Sequence, residues 1–537
     1  MPLYDESAKV LVPDENSILF NSINLFNEFQ RWPAVIAIFD IDHVKKILKD
    51  NGFIPTTHTN SLFHTIGVFF IAAVFSVLRQ KSSITQLHAD YCVICTLCGV
   101  KACSHKTIER AMKQKDAITN TMNQLAQEVC DEFQKEFYGR DLQTIGVKLA
   151  QCINKIEPKI KRIVVGDGSE CRLARELNIG ETKGKTVAGR KGLFFLDASS
   201  NAIIDVKYGS AVCNEKEAAK LMIEQDTAAE GTLYIFDAGF NDKSLMQVIS
   251  DKQAFYLIKA RYSINPEIIK VTEYNGTWNQ EGRYIIDNEG KDLSISTPMK
   301  LSELFDRELI SPPLTGRNGK LEGKSYKLTR KDGTSVLMIF NPTNKSFDET
   351  KMKSAWVYFD TNLPDSIFFE LVSVIYRVRW QIEIKFKCVK SHGGMDKGPD
   401  LNRYTSDFFV SASIIADTIK LFLALTSLQP LVGSTKIDEY STTKEKNDDL
   451  VNVSMEKAAA HLANLAMLFL LISIPTNLLT SKQAIKCFDS NSKNIANVVR
   501  ASRPSKRTLE AGKALKETLR VAQEFADQKD AEKTLVA

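Results

Sequence analysis

Tyr376, Arg379, Glu383 and Lys390 lie within the run Tyr-Arg-Val-Arg-Trp-Gln-Ile-Glu-Ile-Lys-Phe-Lys-Cys-Val-Lys. On a helix turning about 100° per residue they fall at about 0°, 300°, 340° and 320°, one stripe about 60° wide. Val378, Ile382, Phe386 and Val389 form an apolar stripe beside it, suited to burial against a core. One carboxylate among an arginine, a lysine and a tyrosine suits a metal-bound substrate that carries phosphate. The solvated face of an ordinary amphipathic helix has the same look, so partners elsewhere in the chain must decide.

Two such partners are Asp167 and Asp237. Ile163, Val164 and Val165 lead into Gly166-Asp167-Gly168, and Leu233-Tyr-Ile-Phe236 leads into Asp237-Ala238-Gly239. Each reads as an apolar strand closing at an acid. An Asp beside Gly is commonly only a turn former. Strand ends in open α/β sheets are, however, where metal and small-molecule sites collect. Hydrated Mg²⁺ or Mn²⁺ takes hard oxygen ligands, with one or two carboxylates per ion. Asp167, Asp237 and Glu383, from two strands and a helix, could hold two ions about 3.5–4 Å apart, one activating water or a 3′-hydroxyl and the other stabilising the leaving oxygen.

The elements that must position these groups follow from local pattern. Residues 1–150 are mostly helical. Within them Tyr91–Val100 and Ser104–Gln114 read as two short helices around a turn at Gly99, with Ser104 as N-cap and Lys106, Arg110 and Lys113 on the second. That is either a helix-turn-helix or two core helices of a bundle. From Lys159 the order becomes strand, hairpin (Leu193–Leu196 and Ala202–Val206 around 197–201), helix (Glu215–Glu224), strand (Leu233–Phe236), helix (Lys243–Ser250) and strand (Ala254–Ile258). This order implies a mixed sheet with helices on its faces. Residues 262–355 are β-rich, with strand-like runs at Arg283–Ile286, Ser325–Leu328 and Val336–Phe340. Helix resumes over Leu401–Leu428, Gly433–Asp449 reads as a linker, and Met455–Leu471 as an apolar helix. Lys506–Lys533 is a charged helix whose Leu515, Leu519, Ala522 and Ala526 could meet a partner.

The chain has 537 residues, too many for one core, so roughly two to four domains are expected. Apolar content of 44% and charged content of 25% are those of a soluble globular protein, and a net charge of +5 does not by itself imply nucleic acid. The balance is local: Lys155–Lys191 holds ten Lys/Arg against five Asp/Glu, an excess that could face phosphates. Ile66–Leu78 and Leu465–Ile474 fall short of the ~20 residues of a spanning helix, so no membrane partner is expected. Met1–Pro33 does not have the pattern of a secretory signal, and ten scattered cysteines do not form a disulfide framework. A reducing, cytoplasmic setting is expected. Cys92, Cys95, Cys98, Cys103 and His105 crowd together, but one apolar helix explains the first three, and buried small hydrophobes are expected rather than a zinc or iron–sulfur site. Lys183–Lys191 has three nearby glycines but not a complete phosphate-binding loop.

The chain resembles a DDE transposase of the insertion sequence 4 family, whose signature is Tyr, two residues, Arg, three residues, Glu, six residues, Lys. Tyr376, Arg379, Glu383 and Lys390 match it without a gap. Asp167-Gly168-Ser169 resembles that family's first Asp, Asp237-Ala-Gly-Phe240 its second, and Thr361-Asn362-Leu363 its Thr-Asn-Leu segment. The resemblance covers about residues 159–395. It implies an α/β fold: an RNase-H-like mixed-sheet catalytic core with a β-rich insertion, flanked by helical N- and C-terminal regions. The corresponding division is a DNA-binding region at 1–150, the first part of the core at 151–261, the insertion at 262–355, the second part of the core with the Glu383 helix at 356–430, and a helical, dimerising region at 431–537.

The resemblance also implies cut-and-paste transposition. Metal-activated water nicks the transposon end, and the freed 3′-hydroxyl attacks the opposite strand, often giving a hairpin, before joining target DNA. Tyr376, Arg379 and Lys390 would grip phosphates, and Trp380 and Trp356 would stack a flipped base. Double-stranded DNA, as transposon ends and target, is the implied partner, with a homodimer holding two ends in the bacterial nucleoid. The rivals are a catalytically silent DNA-binding regulator, which would be free to lose one carboxylate, and a metal-dependent nuclease that cuts without rejoining.

Overall fold

Runs of residues buried on both sides, such as Thr232–Phe236 and Ser335–Phe340, build the centre of a large sheet. The structure, a computed structural model, describes residues 38–432 and 506–536 except 79–82, 139–144, 173–179, 183–184, 188, 211–213, 279–283, 288, 316–319, 343–352, 368 and 393–402. The expected linker at Gly433–Asp449, the helix at Met455–Leu471 and part of the Lys183–Lys191 loop lie outside the described residues.

After two short helices at the start of the described chain come α1 (Ile66–Leu78), α2 (Ile84–Leu97), α3 (His105–Met112), α4 (Lys115–Tyr138) and α5 (Ile145–Ile156). The expected pair around Gly99 is present as α2 and α3. Gly99 adopts φ +67°, a left-handed turn that favours glycine, and Ser104 caps α3 by accepting from the Thr107 N–H at 3.3 Å. Lys106 and Arg110 are exposed along α3, and Lys113 is exposed at its C-cap. Within the α2–α3 segment, Cys95 and Cys103 are buried among apolar side chains, and burial pushes both thiols upward.

The sheet follows: β1 (Arg162–Arg172), β2 (Gly189–Asp197), β3 (Ala202–Ser210), α6 (Glu215–Gln225), β4 (Thr232–Phe236), α7 (Lys243–Asp251) and β5 (Phe255–Ala260). β1, β2 and β3 form an antiparallel meander, while β4 and β5 run parallel to β1 on its other side. The spatial order is β3-β2-β1-β4-β5. Then come β6 (Lys270–Tyr274), β7 (Lys291–Leu293), β8 (Ser325–Thr329), β9 (Ser335–Phe340) and β10 (Trp356–Thr361). β10, which begins the expected second part of the core, pairs with β5, and the strands of the β-rich segment at 262–355 (β9, β8, β6 and β7) continue outward from it, so that one sheet has ten strands among the described residues. Backbone groups on the open edge of β5 are satisfied by that continuation. Among the described residues four two-stranded ribbons stand apart from the large sheet.

The chain then enters α8 (Phe369–Ile375), a 3₁₀ turn (Tyr376–Arg379), α9 (Trp380–His392) and α10 (Arg403–Val432), and α11 (Lys506–Val536) ends the described residues. One face of the sheet packs on α8, α9 and α11 through residues such as Ile235, Leu257, Ile382 and Ala522. The other face packs on α6 and α7 through residues such as Val164, Phe236 and Ile249. α10 is buried throughout residues 405–421 because it lies between the N-terminal helices and the sheet: Phe408 and Ile415 join one core, Val410 and Ile414 the other. On α11, Leu519, Ala522 and Ala526 of the stripe that could have met a partner pack inside the chain. Ala522 and Ala526 are buried, and the Thr518 hydroxyl donates to the Val374 carbonyl at 2.9 Å. No helix among the described residues is long and apolar enough to cross a membrane.

Candidate active site

Strand alternation puts the two aspartates on one face. Val165 pairs with Ile235, and Ile235 with Leu257, all three in the core beneath α8 and α9. Two residues further on, side chains return to that same face. On β1 this residue is Asp167; after β4 it is Asp237, whose backbone is still extended (φ −78°, ψ 179°); on β5 it is Lys259. Asp167 also pairs with Phe194, and Lys259 with Phe359. The row across the sheet is therefore Phe194, Asp167, Asp237, Lys259, Phe359. Phe194 stacks edge-on against Phe386 of α9 at 5.1 Å, and Phe359 lies 4.8 Å from the Tyr376 ring. These two phenylalanines thus anchor α9 and the turn before it at the two ends of the row.

Asp237 ends its strand as expected, but Asp167 does not. β1 runs on to Arg172 because β2 keeps pairing with it after its contact with β4 stops at Val165. The flanking glycines leave room on the opposite face. A Cβ at Gly166 would lie 2.1 Å from the Phe236 ring, and one at Gly168 would lie 1.5 Å from Glu215 Oε1. Glu215 itself pairs with Lys191 at 3.0 Å. The carboxylate of Asp237 accepts from the Gly239 N–H at 2.7 Å, and the loop beyond it is tied by Asn241 to the buried Asp360, which also pairs with Arg330.

The expected apolar stripe is present: Val378, Ile382, Phe386 and Val389 are all buried. The expected single helix is not continuous, since Tyr376–Arg379 is a 3₁₀ turn between α8 and α9. In that tighter turn residues three apart eclipse, which stacks Arg379 over the Tyr376 ring at 6.0 Å. Arg379 Nη1 lies 3.4 Å from Asp167 Oδ2, and Nη2 lies 2.6 Å from Glu383 Oε1. One guanidinium therefore bridges two carboxylates brought from distant parts of the chain, while its Nε is buried without a hydrogen-bond partner. Burial pushes the Asp167 carboxyl up to about 6; Arg379 opposes this, and Asp237 and Glu383 add to it. Burial likewise pushes the Tyr376 phenol up to about 12, with Arg379 lowering it and Asp237 raising it.

Three carboxylates crowded at one level are the hard-oxygen donor set that a divalent cation requires. Among the described residues no three His, Cys, Asp or Glu side chains already stand as a metal-holding group. The Arg379 guanidinium lies between Asp167 and Glu383, so the fit to a cation is one of donor chemistry.

A stability consequence follows from Asp167. Its native carboxyl holds a proton up to about pH 6, against the usual 3.8, so the native state binds more protons than the unfolded chain in between. This contribution to stability therefore declines as pH rises from about 4 to about 6. Denaturant midpoints across that range should fall less steeply in Asp167→Asn; parallel curves would refute the account.

The remaining expected residues separate clearly. Lys390 Nζ donates to the Glu170 carbonyl at 2.7 Å, tying α9 to the far end of β1. Trp380 is 41% exposed beside Arg379, with area free for stacking. Trp356 corrects the expectation of a second stacking residue. It is 3% exposed, packs with Phe305, Tyr326 and Phe340, and donates its N–H to the Lys324 carbonyl at 2.7 Å. Its alternation on β10 points it into the core of the outer sheet. Thr361-Asn362-Leu363 is a backbone clamp: Asn362 accepts from the Tyr256 N–H at 2.8 Å and donates to the Ala254 carbonyl at 2.9 Å, fixing the start of β5.

Sequence reasoning missed a buried ion pair. Lys385, two residues beyond Glu383, meets Asp417 of α10, with side chains 1% and 6% exposed. The only local signal was a lysine on the apolar side of the helix. It also missed Lys259, which no motif marks.

Residues 158–397 match the family model described as the transposase DDE domain, which supports a DDE transposase. A cryo-EM structure described as the piggyBac transposase synaptic complex with hairpin DNA aligns with 91% of this chain and 87% of its own, at 11% identity and a TM-score of 0.32. No curated protein matches the chain.

Proposed function

We propose that this chain is a cut-and-paste transposase that cleaves DNA at transposon ends and joins the freed 3′-hydroxyl to target DNA. The observation that carries this reading is the convergence of Asp237 and Glu383 on Asp167 at one face of the sheet, with Arg379 bridging Asp167 and Glu383. The strand order β3-β2-β1-β4-β5, with β2 antiparallel to β1, supports an RNase-H-like core. Mg²⁺ or Mn²⁺ held by the three carboxylates would supply activation of the attacking water or hydroxyl and stabilisation of the leaving oxygen. Arg379 turns from Asp167 toward a DNA phosphate, keeping a bidentate donor on substrate. Tyr376, backed by Phe359, steadies that guanidinium by its ring face. Lys390 exchanges the Glu170 carbonyl for a phosphate. Trp380 offers an exposed indole to a base unstacked at a hairpin tip. The exposed Lys106, Arg110 and Lys113 of α3 suit the backbone of the end duplex, in keeping with DNA binding by residues 1–150. Two ends brought together call for two copies of the chain.

Arg379→Ala and Lys390→Ala should each weaken end binding and lower the slope of log affinity against log salt by about 1. Slopes unchanged in titrations at several salt concentrations would remove their phosphate-gripping role. The deciding experiment for the whole reading is a strand-transfer assay with pre-cut ends and Mg²⁺ or Mn²⁺. Joined products support transposition, cutting without joining supports a nuclease, and binding with neither supports a silent regulator.

A further inference from the structure

We propose that Lys259 is a further DNA-contacting residue of this site, holding a phosphate on the Asp237 side that Arg379 does not serve; this rests on the transposase reading above. The argument starts from register. β4 and β5 are parallel neighbours with Ile235 opposite Leu257 and Phe236 opposite Ile258. The next pair along is Asp237 and Lys259, whose backbones lie about 5 Å apart if the strand spacing is kept. Leu257 and Phe359, the latter paired directly with Lys259, both face the core under α8 and α9, so Lys259 faces the same way. Yet Lys259 is exposed on a strand whose neighbours Ile258 and Ala260 are buried. An exposed cation at the last position but one of an otherwise buried strand, level with two acids, marks the point where the sheet face opens to solvent.

Charge distribution explains why the position matters. Arg379 spans Asp167 and Glu383 and leaves Asp237 outside its fork. Lys390 sits toward the far end of β1, at Glu170. Lys259 is the cation on the remaining flank, and among the described residues it is in no ion pair. Its flexible four-carbon stem carries a compact ammonium suited to a single phosphate oxygen. Arg261 and Tyr262 continue the chain outward, both exposed, Tyr262 by 63%, so the strand passing Asp237 meets cationic and aromatic surface beyond Lys259.

The test uses the full chain and duplexes carrying the DNA that flanks its coding region, each with one phosphate replaced by neutral methylphosphonate. Lys259→Ala should lower the salt slope of binding by about 1, while Lys259→Arg keeps it. One methylphosphonate position that weakens wild-type binding should have no further effect in Lys259→Ala, and Lys259→Gln should behave the same way. Thermal midpoints should not move, because the side chain is exposed. A wild-type salt slope together with the wild-type methylphosphonate profile in Lys259→Ala overturns the proposal. Because these are binding measurements, they stand apart from catalysis: a wild-type protein that binds but neither cuts nor joins brings down the transposase reading and leaves the Lys259 contact to be judged on its own profile.

Discussion

Asp167→Asn, Asp237→Asn and Glu383→Gln are each expected to lower divalent-metal-dependent strand cleavage by about 10⁴-fold or more, the scale of losing a group central to the chemistry. End binding should survive, because Arg379, Lys390 and the basic face of α3 remain. The fold should survive too. An amide at 167 can still accept the Gly168 N–H, and it removes a buried charge from beside Asp237 and Glu383. Asp237→Asn retains an oxygen for the Gly239 N–H that shapes the following turn. Gel-resolved nicking of end duplexes in Mg²⁺ and in Mn²⁺, alongside thermal melting, separates lost chemistry from lost structure. Wild-type nicking by any one of the three variants would remove that residue from the site.

The second large effect concerns stability. Lys385→Met or Asp417→Leu alone should destabilise the protein by about 3–5 kcal/mol, since each leaves one buried charge without its partner. The double variant should recover most of this loss, because two apolar side chains of similar size can replace a buried pair at little net cost. The pair does something an apolar contact would not: it specifies the rotation of α9 against α10. Lys385 lies two residues after Glu383, so the two side chains leave the helix about 200° apart. Anchoring Lys385 in α10 therefore aims Glu383 at Asp167. The double variant should melt near wild type but cut more slowly at saturating DNA. A double variant equal to wild type in both respects would make the pair a stability feature only.

The parts of the molecule legible in the sequence are those with local causes. The buried stripe Val378, Ile382, Phe386 and Val389, the hairpin around 197–201, the α2–α3 pair with its Ser104 cap, and the alternation from β1 to β5 each follow from spacing within about a dozen residues. The 3₁₀ turn under Tyr376 was hidden, because its residues suit an α-helix equally well. So was the extension of β1 past Asp167, which depends on pairing with a strand outside its own local window. Trp356 illustrates the same limit: its type suits a base-stacking platform, and only its register opposite Phe340 commits it to a core.

By itself, the sequence determined which side chains could do chemistry and which way each leaves its own strand or helix, since side-chain direction is set by periods of two and of about 3.6 residues. Tertiary structure alone decided that Asp167, Asp237 and Lys259 stand in one row, that Arg379 reaches Asp167, and that Lys385 finds Asp417. Those are contacts between segments separated by tens to hundreds of residues. They arise from strand register and from the packing of α9 between the sheet and α10, neither of which leaves a mark within any short window of the chain.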